Sequence, residues 1–568
     1  MMTISTIWLL TLFSVICGGG ATHVYRNLQS VSSDSSDQPY RTAYHFQPPK
    51  NWINDPNGPM RYRGIYHLFY QYNPKGAISG NKIWAHSISK DLVNWTPLDP
   101  AIDRTQSYDI NGCWSGSATL LHGGKPVILY TGVDSLHHQV QNLVYPKNLS
   151  DPFLREWIKS PKNPLIVPTD VNKINASSFR DPTTAWLGKD GYWRMLVGSK
   201  INTIGMALLY KSKDFVNWVE AEHPLYSTLG TGMWECPDFF PVLNKSKSGF
   251  DTSVNGDDVK HVLKVSLDDK KHDYYLIGTY NATKDIFIPD KEFKDIEFVL
   301  RFDYGKYYAS KTFFDDGKKR RILLGWVNES SSVADDIKKG WSGIHAIPRV
   351  IWLHKTGKQL VQWPVKEIEQ LRSHPIKWHS KNLKGGELLQ INGITATRAD
   401  VEISFEVNRL GEAEVLNYWT DPQILCSTKG SAVRIGLGPF GLLVFASKGL
   451  EEYTSVFFRI FRYQHKHLVL FCSDQSRSSL NEDNDKTTYG TFVDVNPLHE
   501  KLSLRSLIDH SVVESFGGKG KACMTARVYP TLAINDEAQL YAFINGTNDV
   551  TITELSAWSM KKAQINGS

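Results

Sequence analysis

Helical periodicity is almost missing from this 568-residue chain: Val365 to Arg372 (VKEIEQLR) is the one short amphipathic candidate. Past the N-terminus no run reaches the roughly 20 uncharged apolar residues that a bilayer span requires, so no membrane span is expected. The 18 histidines form neither an HExxH motif nor a close ligand cluster beside carboxylates, which argues against a metal-dependent hydrolase. No metal and no cofactor are expected. Basic runs dense enough for nucleic acid are absent too, and a net charge of +6 with a pI near 8.7 fits weak adhesion to an anionic wall polysaccharide or, equally, a solvated surface with no partner. Cysteine is scarce, at six residues. Five remain if Cys17 leaves with a leader, and an odd count leaves at least one free thiol. Cys426 and Cys472 lie in two strand-like runs, PQILCS and VLFCSD, and are the candidate disulfide. Cys113 and Cys236 are expected to stay unpaired.

What is present is strand and turn. With 41% hydrophobic and 12% aromatic residues, the chain is long enough for two cores. Short apolar runs (IYHLFYQY, KPVILYTG, YWRMLVGS, DYYLIGTY and RRILLGWV) are each bounded by Gly, Pro, Asn or Asp, the mark of strands. Ser89 to Trp95 (SKDLVNW) and Ser212 to Trp218 (SKDFVNW) form a weak internal repeat. Repeated four-stranded sheets suggest a β-propeller over residues 40–365. From about 366 to 568 the pattern changes to alternating stretches such as ADVEISFEV and YTSVFFRIFRY, which predicts half-buried antiparallel strands and a β-sandwich. Residues 1–22 read as a signal peptide. Export is supported by Asn-X-Ser/Thr acceptors at Asn94, Asn148, Asn175, Asn244, Asn281, Asn328, Asn545 and Asn566.

Three short motifs carry acid chemistry. Trp52 to Gly58 (WINDPNG) presents Asp55 in a turn-rich setting, although such a sequence alone is more often an ordinary Asx turn. In Phe179-Arg180-Asp181-Pro182 the arginine would hold the aspartate ionised and aimed; a structural ion pair is the bland reading. In Trp234-Glu235-Cys236-Pro237-Asp238 a carboxyl sits beside a tryptophan, and burial against an indole raises its pKa as a general acid requires.

The three motifs in this order and spacing resemble glycoside hydrolase family 32, and NGCWSGSAT, YGKYYASKTF, GWSGI, SLRSLIDHSVVESFGG and RVYP extend the resemblance over nearly the whole chain. It implies an all-β protein, a five-bladed β-propeller followed by a β-sandwich. It further implies a retaining fructosidase with Asp55 as nucleophile, Glu235 as acid/base and Asp181 as transition-state stabiliser, on sucrose or fructo-oligosaccharides. Trp52, Asn54, Gln71, Trp114, Ser115 and Arg180 match family positions around the fructosyl unit. Pro237 and the basic pI resemble the cell-wall branch more than the vacuolar one, so a secreted, monomeric wall enzyme is expected, with the vacuole as the alternative.

Two departures bear on outcome. Ser79 stands where family members of this type carry a tryptophan at the pocket mouth, and Gln106 in DRTQSYD adds an amide near the same rim. Asp268 and Lys271 match positions used for the glucosyl side of sucrose. Together they favour sucrose as donor and a site loosened for a second sugar, hence a fructosyltransferase making β-2,6-linked products. Invertase, fructan exohydrolase and an inactive sugar binder are the alternatives. His345 has no assignable role from sequence.

Overall fold

A computed structural model describes residues 38–244, 246–291 and 300–565. The expected signal peptide with Cys17, and Asn566, lie outside them. The described chain is all-β, a propeller followed by a sandwich, and seven sheets carry it. The first five lie between Asn51 and Pro364, and each begins with a strand at its inner edge: Asn51–Tyr62, Gly112–Leu121, Phe179–Arg180, Trp234–Leu243 and Tyr307–Asp315. The pairings within these sheets are antiparallel, with one exception at the start. There Asn51 and Trp52 pair in parallel with Trp341 and Ser342, so the first sheet takes an edge from the far end of the ring.

Aromatic and β-branched side chains glue each sheet to the next. Trp84 and Phe69 of the first sheet share a core with Ile128 and Tyr130 of the second, Val127 and Leu143 of the second with Met195 and Val197 of the third, and Trp186 and Leu209 of the third with Phe239 and Leu263 of the fourth. Phe240 and Val262 of the fourth meet Leu323 and Ile351 of the fifth. Phe313 and Ile322 of the fifth meet Ile53 and Tyr66 of the first, which closes the circle.

The internal repeat is a conserved piece of geometry within the chain. Ser89 Oγ accepts from the N–H of Leu92 (2.8 Å), and Asp91 accepts from the N–H groups of Val93 and Asn94 and the amide of Asn94. Ser212 and Asp214 do the same for Phe215, Val216 and Asn217. Leu92 and Phe215 adopt φ of 65° and 66°. Each turn follows the strand before the outermost one in its sheet, so the sequence echo marks equivalent places.

Beyond Lys366–Leu371, a 3₁₀ turn where the short amphipathic helix is expected, a six-stranded and a seven-stranded sheet stack on a shared core. Two expectations fail here. PQILCS is not a strand: Pro422–Thr428 is an α-helix, with Pro422 in its first turn and Asp421 capping the N–H groups of Gln423 and Ile424. YTSVFFRIFRY is not half-buried either, since Thr454–Tyr463 is buried over its first eight residues. Val456, Phe458 and Ile460 face the sandwich core. Phe457 and Phe461 face a second cluster with Leu425 and Cys426 of that helix, and the disulfide Cys426–Cys472 staples helix to sheet. Cys113, Cys236 and Cys523 are free and buried.

Where the propeller meets the sandwich, the contact is ionic and dry. His45 joins Asp509 through Nδ1 and Glu514 through Nε2, both at 2.9 Å, with all three side chains fully buried. Arg349 reaches Asp303 (2.9 Å) and Glu514 (2.6 Å), again with no exposure.

Candidate active site

Each sheet has an irregularity at the same place, near the start of its inner strand. Antiparallel register slips between Ile53 and Pro56, between Cys113 and Gly116, between Glu235 and Asp238, and between Tyr308 and Lys311. In the third sheet Asp181, next after the short strand, takes φ of 69°. A bulge sets two residues against one partner and twists the strand, so adjacent side chains are turned to the same opening. Asn54 and Asp55, Trp114 and Ser115, and Cys236 are the residues so placed. Close sheet packing is secured by Gly198, where a Cβ would lie 2.0 Å from the carbonyl oxygen of Trp234.

Asp55 accepts from three donors: the Asn54 amide (2.9 Å), Ser115 Oγ (2.5 Å) and the Cys236 thiol (3.4 Å). A ring of side-chain bonds fixes them, since Asn54 also donates to Gln71 (2.9 Å) and Gln71 to Ser115 (2.6 Å). Trp52 Nε1 anchors the other end of Asn54 at 2.9 Å. The function of His345 appears here: its Nε2 lies 2.7 Å from the Asn54 carbonyl oxygen while its ring stacks on Phe46. It braces the strand that bears Asp55. Burial pulls its pKa down to about 4, so it serves as a neutral donor.

Glu235 faces the same opening. Arg180 donates to its Oε1 through Nε (3.1 Å) and Nη2 (2.9 Å), and the Tyr308 hydroxyl donates to Oε2 at 2.5 Å. Burial pushes the Glu235 carboxyl up, Asp181 and Asp268 push the same way, and Arg180 and Lys271 pull it down without prevailing. Asp181 receives the backbone N–H of Cys236 at 2.8 Å; burial raises it too, against the pull of Arg180 and Lys311. Residue 236 is thus a hinge between carboxylates, its N–H on Asp181 and its thiol on Asp55, one residue after Glu235.

Two local expectations are corrected. The indole of Trp234 is not the wall that raises Glu235. Successive side chains alternate along a strand, and Trp234 is turned into the core between the third and fourth sheets, its Nε1 on Thr231 at 2.9 Å. Nor does Arg180 grip its neighbour Asp181: its hydrogen bonds go to Glu235, to Asp268 at 3.3 Å, and to Gln139 and the Ser177 carbonyl.

Asp268 and Lys271 form an ion pair at the half-exposed edge, with Lys271 also 3.9 Å from Glu235. Trp114 lies under the Arg180 guanidinium at 5.8 Å. Ser79 and Gln106 are exposed, and neither side chain makes a hydrogen bond with the site among the described residues. Tyr308, Cys236, His345 and Gln139 are site residues that motif reading passed over. Tyr308 had a signal, since it sits in YGKYYASKTF. Of the glycan acceptors, Asn148, Asn175, Asn244 and Asn281 are exposed. The amide nitrogens of Asn94 and Asn545 already bond within the fold, to Asp91 and to the Ser431 carbonyl, and Asn328 is half-buried.

Comparison with known proteins assigns both parts of the chain to a family. Residues 45–364 match the glycosyl hydrolases family 32 N-terminal domain and residues 367–559 the family 32 C-terminal domain. A cell wall isozyme of β-fructofuranosidase from Pisum sativum is 72% identical over 95% of this chain and 99% of its own length. The fructan 6-exohydrolase of Beta vulgaris is 61% identical over 94% of this chain and 88% of its own. A crystal structure of fructan 1-exohydrolase IIa from Cichorium intybus superposes with a TM-score of 0.91 at 55% identity, covering 93% of this chain and 99% of that one. The chain belongs to glycosyl hydrolase family 32 and is an enzyme of that family.

Proposed function

We propose that this enzyme is a secreted, wall-resident β-fructofuranosidase that hydrolyses sucrose with retention. The observation that carries the reading is the division of labour between two carboxyl groups at one opening. Asp55 is wrapped by donors, and Glu235 is pushed towards its acid form by burial. Asp55 attacks the anomeric carbon of the fructosyl unit while Glu235 passes its proton to the glycosidic oxygen, releasing glucose and leaving a fructosyl ester. Glu235, now a carboxylate, takes a proton from water, which attacks the same carbon; fructose leaves and Asp55 is freed. Asp181 holds ring hydroxyls and favours the positive charge of the transition state. Gln71, Ser115 and Asn54 position the nucleophile, Trp52 and Trp114 offer faces to the sugar, and Asp268 with Lys271 meets the glucosyl side.

The names of the relatives, a cell wall isozyme of β-fructofuranosidase in Pisum sativum and an insoluble isoenzyme in Arabidopsis thaliana, favour hydrolysis over the fructosyl transfer that Ser79 and Gln106 suggested. Fructan exohydrolysis is the second reading, favoured by the likeness to the chicory enzyme, a variant of which is solved with 1-kestose. Five sheets joined by five shared cores support a count of five blades, with the boundary near residues 365 and 366. Adhesion to anionic wall polysaccharide is supported by Lys377, Lys381 and Lys384 on or beside the exposed edge strand Arg372–Leu383, none of them in an ion pair among the described residues. The test is incubation with sucrose up to about 1 M, a sweep of the competition between water and sugar for the ester. Equal glucose and fructose throughout is expected. Excess glucose with trisaccharides would restore the transferase reading, and inertness on sucrose with release of fructose from kestose would leave exohydrolase. Asp55→Asn is expected to lose at least about 10⁴-fold in turnover.

A further inference from the structure

The stretch Lys75 to Trp84, which carries Ser79, supplies a cation to the mouth of the site. The carbonyl of Lys82 accepts from the N–H of Cys113 at 2.9 Å, which ties this stretch to the strand bearing Trp114 and Ser115. The Lys82 ammonium then lies 5.8 Å from the centre of the Trp114 ring, the ring that Arg180 also faces at 5.8 Å. Lys82 makes no hydrogen bond or ion pair through its side chain among the described residues. The charges that act on it are nonetheless those of the site: Asp55, Glu235 and Asp181 attract it, and Lys271 opposes it. Burial lowers its pKa against that attraction.

Lys82 is half-buried at the opening, and its three N–H donors have no protein acceptor among the described residues. Carboxylates stand across the opening but out of bonding range, and what fits between is a ligand dense in hydroxyl groups. We propose that Lys82 is a sugar-contacting, specificity-determining residue: it donates to hydroxyls of the sugar bound beside the fructosyl unit. This inference rests on the reading of Asp55 and Glu235 as the reacting pair.

Lys82→Met is expected to raise KM for sucrose about tenfold, the scale of one lost charged hydrogen bond, with kcat changed less than about threefold. Lys82→Arg should recover the KM. Lys82→Gln repeats the test should the methionine variant fold poorly, and sucrose titration of the Asp55→Asn protein by tryptophan fluorescence reads the contact without turnover. KM and titration both unchanged in a folded, active Lys82→Met enzyme would overturn the proposal, as would a fall in kcat alone. Failure of the underlying reading looks different: the unaltered enzyme would not turn over sucrose, or Asp55→Asn would retain activity.

Discussion

Two groups of buried carboxylates sit in this molecule and behave in opposite ways. At the seam between propeller and sandwich, Glu514 accepts from Arg349, His45 and the N–H of Ile347, and Asp509 accepts from His45 and three consecutive N–H groups. Both are held below the ordinary carboxylate range, because these bonds and the charge of His45, with Arg349 for Glu514, overcome burial. At the candidate site Asp181 is almost as buried and Glu235 is 18% exposed through its side chain, yet both are raised. The lesson is that burial sets the penalty and the charges around the group decide its outcome. The seam surrounds its carboxylates with cations and N–H donors. At the candidate site neighbouring carboxylates add to burial, Asp181 and Asp268 on Glu235 and Asp55 on Asp181, and outweigh the cations.

The sharpest way to break this contrast is reciprocal substitution. Asp55→Asn should cost turnover by at least about 10⁴-fold and leave the denaturant midpoint unchanged or higher. Glu514→Gln should cost about 3–5 kcal/mol of stability, the usual penalty for stranding a buried charge, while the folded fraction keeps its kcat. Urea unfolding with parallel assays decides it; equal stability losses in both variants would erase the distinction.

A smaller effect tests the seam through pH. Burial alone would lower the pKa of His45, but its bonds to Asp509 and Glu514 raise it. Its contribution is complete below the ordinary histidine value and is lost as pH rises through the raised one. The two carboxylates contribute above their ordinary values and lose that contribution as pH falls through the depressed ones. Stability should therefore be greatest between about pH 4.5 and 6.5. His45→Gln should flatten the alkaline decline in thermal midpoint, and an unchanged decline would assign it to other groups.

The smallest effect sits on the other side of the comparison. Lys271 pulls the Glu235 carboxyl down, so Lys271→Met should move the basic limb of kcat/KM upward by roughly half a pH unit, on the scale expected of a half-exposed charge. A downward shift would mean that Lys271 acts on Glu235 through something other than its charge.

Sequence alone singled out the three carboxylates that the fold gathers at one opening because each sits in a short motif whose residues are contiguous. It also paired Cys426 with Cys472, although one of the two flanking runs is a helix. The turn at Ser89 and its echo at Ser212 were legible for the same local reason. What escaped was what depends on contacts between sheets. Arg180 reaches 55 positions along the chain to Glu235, and Tyr308 reaches back 73 to the same side chain. The neighbouring residue was the natural guess in both WECPD and FRDP, and strand alternation with bulging made it the wrong one. The buried outer face of Thr454–Tyr463 escaped likewise, since only the fold brings a helix over it.

The bond from His345 to the Asn54 carbonyl spans 291 positions, and the parallel edge from Trp341 and Ser342 spans nearly as many. A ribosome adding about 5–20 residues per second needs roughly 15–60 s to bridge that interval. For that time the strand carrying Asp55 exists without its brace. The first sheet of the ring is thus finished only when the last has emerged.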